Sequence, residues 1–510
     1  MPIFDPLSAM FLPRRLLLPL SLALLLAWGM LFDAEAKAQG LSGLDSVPAG
    51  GWTLEQCIRY ALKNNITLRQ GDLAVASAHL DQKAARLAFT PSVNGSAGLA
   101  FNNGRAIDPF TNTFINQTVE SNQMGLSGAW TLYQGGQLRN QGRAAGSGLE
   151  ASVKEQEALR NNIALSIANA YLQVLLSKEL FKVAEQQKNS TYNQWVRIKE
   201  LVQAGSLSRD NLLNLEAQLA SDEVARTNAE NNAVNARIGL ALLIQWPDPE
   251  RFELAHPDSS GLRSDLADQP RLQEPAAPAL YRDALLTQPQ ILGNEFRYRQ
   301  SQWNLKATQS LRYPRLTAFV NTNTIFASTS QQFILLPEID GVRPIGYLQN
   351  DPNQVVVQPI PKYKTILVPR GEQFRNNLGT GMGLSLSIPI WNNGQVRLAE
   401  QRARNTVENA RLQSEQARNQ LYTDITRAVT DYRAAKARLA TNRINLDAQI
   451  ANHDLASKRY EQGLLPLADY LNAKNRWQIA ESSWLQAYYE EVFRRKVLDF
   501  YEGRFSWQNP

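Results

Sequence analysis

Cysteine is almost absent: Cys57 is the only one in 510 residues, so no disulfide can form within the chain. Cys57 lies in the helical pattern TLEQCIRYAL and is read as a small buried apolar residue. The three histidines, His79, His256 and His453, are scattered, with no spacing that would hold a metal ion. No Gly-x-Ser-x-Gly element or Ser-His-Asp order is present. Gly379-Thr380-Gly381-Met382-Gly383 opens a strand and does not lead from a strand into a helix, so it is not a phosphate loop. The reading is a protein that is not an enzyme and carries no cofactor or metal. Charge of one sign is also missing. The 53 Lys and Arg offset 47 Asp and Glu to a formal net charge of +6, interspersed along helical stretches. Solvated helix faces explain that pattern, and nucleic acid is not an expected partner.

Long apolar runs are scarce. The only one spans residues 16–32, after Arg14 and Arg15 and before Ala34-Glu35-Ala36-Lys37-Ala38. A charged start, an apolar middle and a small-x-small end describe a secretory signal peptide over 1–38, cut after Ala38 or Ala36. No cysteine lies there to carry a lipid.

Helix breakers are missing where helices would be long. Residues 131–246 contain no proline, and between Gly148 and Gly239 the only glycine is Gly205. Residues 395–462 contain no glycine; Gly463 follows, with Pro466 just after it. Apolar or small residues recur at three and four: Leu159, Ile163, Ile167, Tyr171 and Val174, and again Leu421, Ile425, Ala428, Tyr432, Ala435 and Leu439. These are coiled-coil-like seams. The isolated glycines read as helix ends and tight turns. Two very long helical hairpins are expected, with tips at Gly205 and Gly463.

What the chain does have is repetition. Residues 124–139, MGLSGAWTLYQGGQLR, match residues 382–397, MGLSLSIPIWNNGQVR, at an offset of 258, which also carries Gly205 onto Gly463. Upstream the offset is 223: Ala61 falls on Ala284, Leu62 on Leu285 and Pro91 on Pro314. The 35-residue difference is extra length between the two strands of the second copy. Long fixed-period similarity predicts a tandem, pseudo-symmetric assembly. The expected organisation is a first repeat over 52–246, a Pro- and Asp-rich linker over 247–278, a second repeat over 279–503 with an enlarged loop at about 321–379, and a short tail over 504–510. Each copy is expected to open with one helix, over 54–89 and over 280–313.

After each of those helices the period changes to two. Val93, Gly95, Ala97, Leu99 and Phe101 alternate with Asn94, Ser96, Gly98 and Ala100; Met382, Leu384, Leu386 and Ile388 alternate with Gly383, Ser385 and Ser387. Met124 to Leu132 do the same, and Leu316, Ala318 and Val320 follow suit although Phe319 breaks the pattern. Such segments read as transmembrane β-strands, with Trp130, Tyr133 and Trp391 as interfacial aromatics. Four strands cannot close a barrel, and an open edge in lipid leaves backbone groups unpaired. The strands therefore imply an oligomer sharing one barrel. Three copies would supply about twelve strands. The alternative reading is a periplasmic coiled-coil structural protein without channel activity.

The opening TLEQCIRYALKNN, the junctions LYQGGQLRNQ and IWNNGQVRLAEQ, and the tip segments AGSLSRDNLLNLEAQLA and QGLLPLADYLNAKNRW resemble the TolC-type outer membrane efflux proteins over essentially all of 52–503. The resemblance implies a mixed α and transmembrane β fold and a homotrimer with a shared 12-stranded barrel in Gram-negative outer membrane lipid. Its long helices would form an α-barrel duct through the periplasm. It implies an exit duct that passively conducts substrate from an inner-membrane pump, of RND or ABC type, and a periplasmic adaptor. Efflux and type I secretion both fit. By position, Gly205, Gly463, Leu207 and Leu465 mark the tips that dock the adaptor. Arg209, Asp210, Asn211, Asp469 and Asn472 mark the periplasmic gate or constriction. Residues 395–443 carry ten Arg or Lys against five acids, so a lumen-facing side would favour anionic cargo.

Overall fold

The computed structural model describes residues 51–107, 114–255 and 276–503. The expected signal peptide, the tail over 504–510 and most of the linker lie outside the described residues.

Helix α1 (Leu54–Asn64) is capped by Thr53. The Thr53 hydroxyl accepts from the Gln56 amide, and the Gln56 side chain accepts from the Thr53 amide. The single opening helix expected over 54–89 is in fact two. The chain leaves the helix at Asn65 (ψ 124°) and re-enters as α2 (Ile66–Leu87). The Asn65 carboxamide oxygen caps the new start, accepting from the amides of Thr67 and Leu68. The second copy breaks at Gln288 (ψ 119°), 223 residues on, between α5 (Ala277–Thr287) and α6 (Pro289–Gln309). Pro289 disfavours a helical residue before it. A one-residue break barely disturbs the apolar period, which is why periodicity misses it.

The strands are β1 (Ser92–Ile107), β2 (Phe114–Gln134), β3 (Arg315–Ala327), β4 (Gln331–Leu348), β5 (Asp351–Leu367) and β6 (Gly379–Ser387). Four of them form one antiparallel sheet in the order β1-β2-β3-β6. Its register sorts the residues by face, because directly paired residues point the same way. Leu386 pairs with Leu316, Leu384 with Ala318 and then Trp130, Met382 with Val320 and then Gly128 and Val93. One face is thus apolar. The other carries Ser385 and Thr317, Gly381, Asn321, Ser127 and Asn94, and Asn323, Gly125 and Ser96. Phe319 falls on this polar face. It is seated over Gly383, where an added Cβ would come within 2.9 Å of its ring. On the apolar face, Val320 fills the space over Gly128 in the same way.

The enlarged loop of the second copy is not irregular. β4 and β5 pair with each other as a separate two-stranded hairpin. The proline-rich segment reads as loop because proline cannot donate to a ladder. Here it sits in a hairpin with several register shifts. Short helix α7 (Arg370–Asn376) anchors the hairpin base: Gln373 donates to the carbonyls of Ala327 and Val368 and accepts from the Ala327 amide.

Each repeat then turns into a long helix through two residues of positive φ, Gly135 and Gly136 in the first copy and Asn393 and Gly394 in the second. Helices α3 (Gln137–Gln203) and α8 (Gln395–Glu461) are each 67 residues long, or about 100 Å at 1.5 Å per residue. They fold back into α4 (Arg209–Ile244) and α9 (Leu467–Tyr501). Helix α3 packs on α2, α6 and α4; α8 packs on α6 and α9. The buried seam of α8 includes Leu421, Ile425, Ala428, Tyr432 and Ala435, as the spacing predicts. The two main cores correspond residue by residue. Cys57, Ala61 and Ile167 sit in one, and Leu280, Ala284 and Ile425 in the other. Burial pushes the Cys57 thiol up to about 12, so it is inert. From the linker, Phe252 and Leu254 join the first core, and Leu254 bridges to Trp52. Among the described residues no helix is long and apolar enough to cross a membrane.

Candidate functional site: the hairpin tips and the polar contacts behind them

Both tips are built alike. Gly205 (φ 74°) and Gly463 (φ 75°) sit two residues past their helix ends, just after the C-caps Ala204 and Gln462, in the left-handed region. The Ser206 amide donates to the Leu201 carbonyl and the Gly205 amide to Val202; Leu464 and Gly463 donate to Arg459 and Tyr460. This pairing ends a helix by satisfying its last carbonyls. Between the tips lies an open pocket of about 460 Å³, lined by Leu207, Asn211, Gly463, Leu465, Arg197 and Tyr470 among others. It brings together four of the residues singled out from sequence. Arg209, Asp210, Asp469 and Asn472 are exposed and do not line it. Asp469 and Asn472 are three apart on α9, so they share a face.

Sequence reasoning missed the group behind the tips. Lys474 on α9 is 1 % exposed. Its ammonium donates to Thr191 Oγ1 at 3.1 Å and to Ser190 Oγ at 3.3 Å, both on α3. Thr191 in turn donates to the carboxylate of Asp222 on α4. Asp222, 6 % exposed, also accepts from Gln218 at 2.8 Å and Gln187 at 3.4 Å. Burial lowers Lys474 to about 8, while the Asp222 charge acts to raise it. Two more polar bonds cross between the copies: Gln194 donates to Tyr470 Oη at 2.6 Å, and Gln218 pairs with Asn475. His453 of α8 packs on Trp477 with ring centroids 4.7 Å apart, and its pKa is lowered by burial. The helix of the second repeat is thus tied to the hairpin of the first by polar groups. A signal for this was present. Lys474 occupies the seam position that follows Leu467, Tyr470 and Leu471 at helical spacing, where an apolar residue is expected.

Five of the ten basic residues over 395–443 are held in ion pairs. Arg404, Arg411, Arg418, Arg438 and Arg443 pair with Glu400, Glu408, Glu295, Glu490 and Asp447. Trp130, Tyr133 and Trp391 all stand at the end of the sheet next to the long helices. The Trp130 indole donates to the Phe89 carbonyl at 2.8 Å.

A model of the family described as outer membrane efflux protein matches residues 57–244 and 280–492, well over half of the chain. The probable outer membrane lipoprotein SilC of Salmonella typhimurium is 21 % identical over 294 residues, 56 % of this chain and 60 % of that protein. The chain therefore spans less than two thirds of that relative in the match. The outer membrane efflux protein BepC of Brucella suis is 22 % identical over 482 residues, covering 93 % of this chain and 91 % of BepC. Among solved structures, the outer-membrane channel OprN superposes with a TM-score of 0.68 at 19 % identity, covering 89 % of this chain and 91 % of OprN.

Proposed function

From the premise that the chain belongs to the outer membrane efflux protein family, we propose that three copies share one barrel and act as the outer membrane exit duct of an efflux or secretion system. The observation that carries this reading is the four-stranded sheet, apolar on one face, polar on the other, and open at β1 and β6. In lipid those edges need partners, because an unpaired backbone group there costs several kcal/mol. Identical copies supply them, and three give twelve strands. The polar face then lines a water-filled lumen continuous with the long helices in the periplasm. Trp130, Tyr133 and Trp391 sit at the inner membrane–water boundary of the barrel. The chain conducts passively and catalyses nothing. A periplasmic adaptor docks at the tips around Gly205, Leu207, Gly463 and Leu465, and an inner-membrane pump feeds the duct through it.

The test is single-channel conductance of the purified protein in a planar bilayer, with its mass in detergent measured alongside. A trimer that gives discrete steps supports the shared barrel. A soluble monomer without conductance replaces it with a periplasmic scaffold.

Arg209, Asp210, Asn211, Asp469 and Asn472 form the periplasmic constriction in this reading. Asp469 stands exposed in the first turn of α9. Three copies would set three carboxylates around the neck, where they attract cations. A negative charge also suits a helix N-terminus, which is the purely structural role. Asp469→Asn is expected to lower cation preference, shifting the reversal potential in a salt gradient towards zero. Unaltered conductance and selectivity in that variant would take Asp469 out of the pore.

A further inference from the structure

The β4–β5 hairpin presents an apolar face that none of the described residues of its own chain covers. On β5, Val355, Val357, Pro359, Pro361, Tyr363, Thr365 and Leu367 alternate with Gln354, Val356, Gln358, Ile360, Lys362, Lys364 and Ile366, so the first set is the more apolar and carries no charge. The paired residues of β4 continue the same face: Tyr347 opposite Val355, Val342 opposite Pro359, Ile339 opposite Pro361, Leu335 opposite Tyr363. Leu335 is 61 % exposed, Ile339 59 %, Tyr347 67 % and Leu367 64 %. The opposite face is mixed, with Arg343, Gln358 and Lys364 among its members. The two strands pack chiefly on each other. A lone two-stranded hairpin is marginal in water. Prolines on both strands remove ladder donors, so the edges are poor templates for further strands and the faces remain.

Two observations say what covers this face. The first is position. Along β1 the apolar face ends at Phe101, which has Glu120 directly beside it; the same face then carries Asn103 and Arg105. From Val93 to Phe101 is roughly 26 Å along the strand, about the height of a membrane-spanning band. Ala327, the last residue of β3, pairs with Ser121, which pairs with Ala100. The hairpin begins past that level, at Gln331. The second is area. Seventeen residues of β5 by two strands make a face roughly 55 Å by 10 Å. That is on the order of 500 Å², against about 800 Å² per partner in a standard interface.

We infer that this face is an interface between copies of the chain: the hairpins of three protomers bury it on one another beyond the outer rim of the barrel. The inference rests on the shared-barrel reading, which places three hairpin bases, between β3 and β6, around one rim. It makes the outlet of the duct a built structure, not an open mouth.

Cysteine scanning tests it on the intact trimer, because Cys57 is buried and unreactive. Val357→Cys and Leu335→Cys probe the apolar face, and Gln358→Cys and Lys364→Cys the other. The expected result is at least tenfold slower labelling by a bulky maleimide at the first pair than at the second. Mild oxidation should also give cross-linked dimers only at the first pair. Equal labelling of both faces in a protein whose mass is trimeric overturns the inference and leaves the barrel standing. Protection in lipid membranes that vanishes in detergent, without cross-links, assigns the face to lipid and overturns it too. A monomeric mass removes the shared barrel and this interface together.

Discussion

Asp222→Leu is expected to destabilise the tip half of the long helices by roughly 3–5 kcal/mol at pH 7, the range for breaking a buried charge network on one side. Leucine fills the volume but leaves the Lys474 ammonium, 1 % exposed, without a nearby anion. It also strips acceptors from Thr191, Gln187 and Gln218. The pH dependence gives an independent check. An unfolded lysine holds its proton to about 10.4, whereas Lys474 releases it at about 8 in the fold. Between those values the unfolded chain binds more protons, so stability rises with pH across that window. The cost of burying the charge, about 3 kcal/mol by that shift, is fully present below pH 8. Without Asp222 the folded value falls further and the rise begins at lower pH. Adding Lys474→Met to Asp222→Leu removes the stranded charge and should recover most of the loss. Urea unfolding followed by helical circular dichroism at pH 7 and 9.5 measures all of this. A single variant that loses under 1 kcal/mol, or a double variant no more stable than the single, would refute the network.

Gly205→Val with Gly463→Val should cut adaptor co-purification at least tenfold while the trimer and its bilayer conductance persist. Both glycines have φ near +75°. A residue with a Cβ costs roughly 1–2 kcal/mol in that region, and a β-branched one more. Space is not the obstacle, since an added Cβ meets nothing within 4 Å at either position. The backbone alone carries the penalty, and relieving it opens the hydrogen bonds to Leu201 and Arg459 that fold the tips. Asparagine tolerates the left-handed region, as Asn393 does here. The Asn pair should therefore dock normally. Full docking by the Val pair would move the adaptor site away from the tips.

These two experiments probe parts of the molecule that differ in how openly the sequence announces them. Gly205 and Gly463 are visible because a lone glycine in a long glycine-free helix has few other uses. The strand faces are visible because alternation is strict, and even the exception, Phe319, has its counterpart in Gly383 across the ladder. Lys474 stays hidden because a lysine in a charged helix normally reads as solvated, and only its seam position says otherwise. The breaks at Asn65 and Gln288 stay hidden because an amphipathic stripe survives a single non-helical residue. The β4–β5 hairpin stays hidden because Pro337, Pro344, Pro359 and Pro361 are loop-forming residues by local preference. Pairing across the hairpin overrides that preference, and pairing is not a local property. Asp469, Asn472, Arg209 and Asp210 are exposed within one chain, so in the proposed trimer what they face would be set by the neighbouring copies.

The equal length of α3 and α8 has a mechanical consequence. Each runs 67 residues from its junction to its tip, although the two differ in most of their side chains. A helix turns 100° and advances 1.5 Å per residue. Deleting one residue from α3 alone would put the two strokes out of phase, carrying Ser190 and Thr191 away from Lys474. Removing seven, close to two whole turns, would nearly restore the angle but leave one tip about 10 Å short of the other. The paired helices thus behave as two copies of one gauge. They can drift in composition, but they can change length only in step.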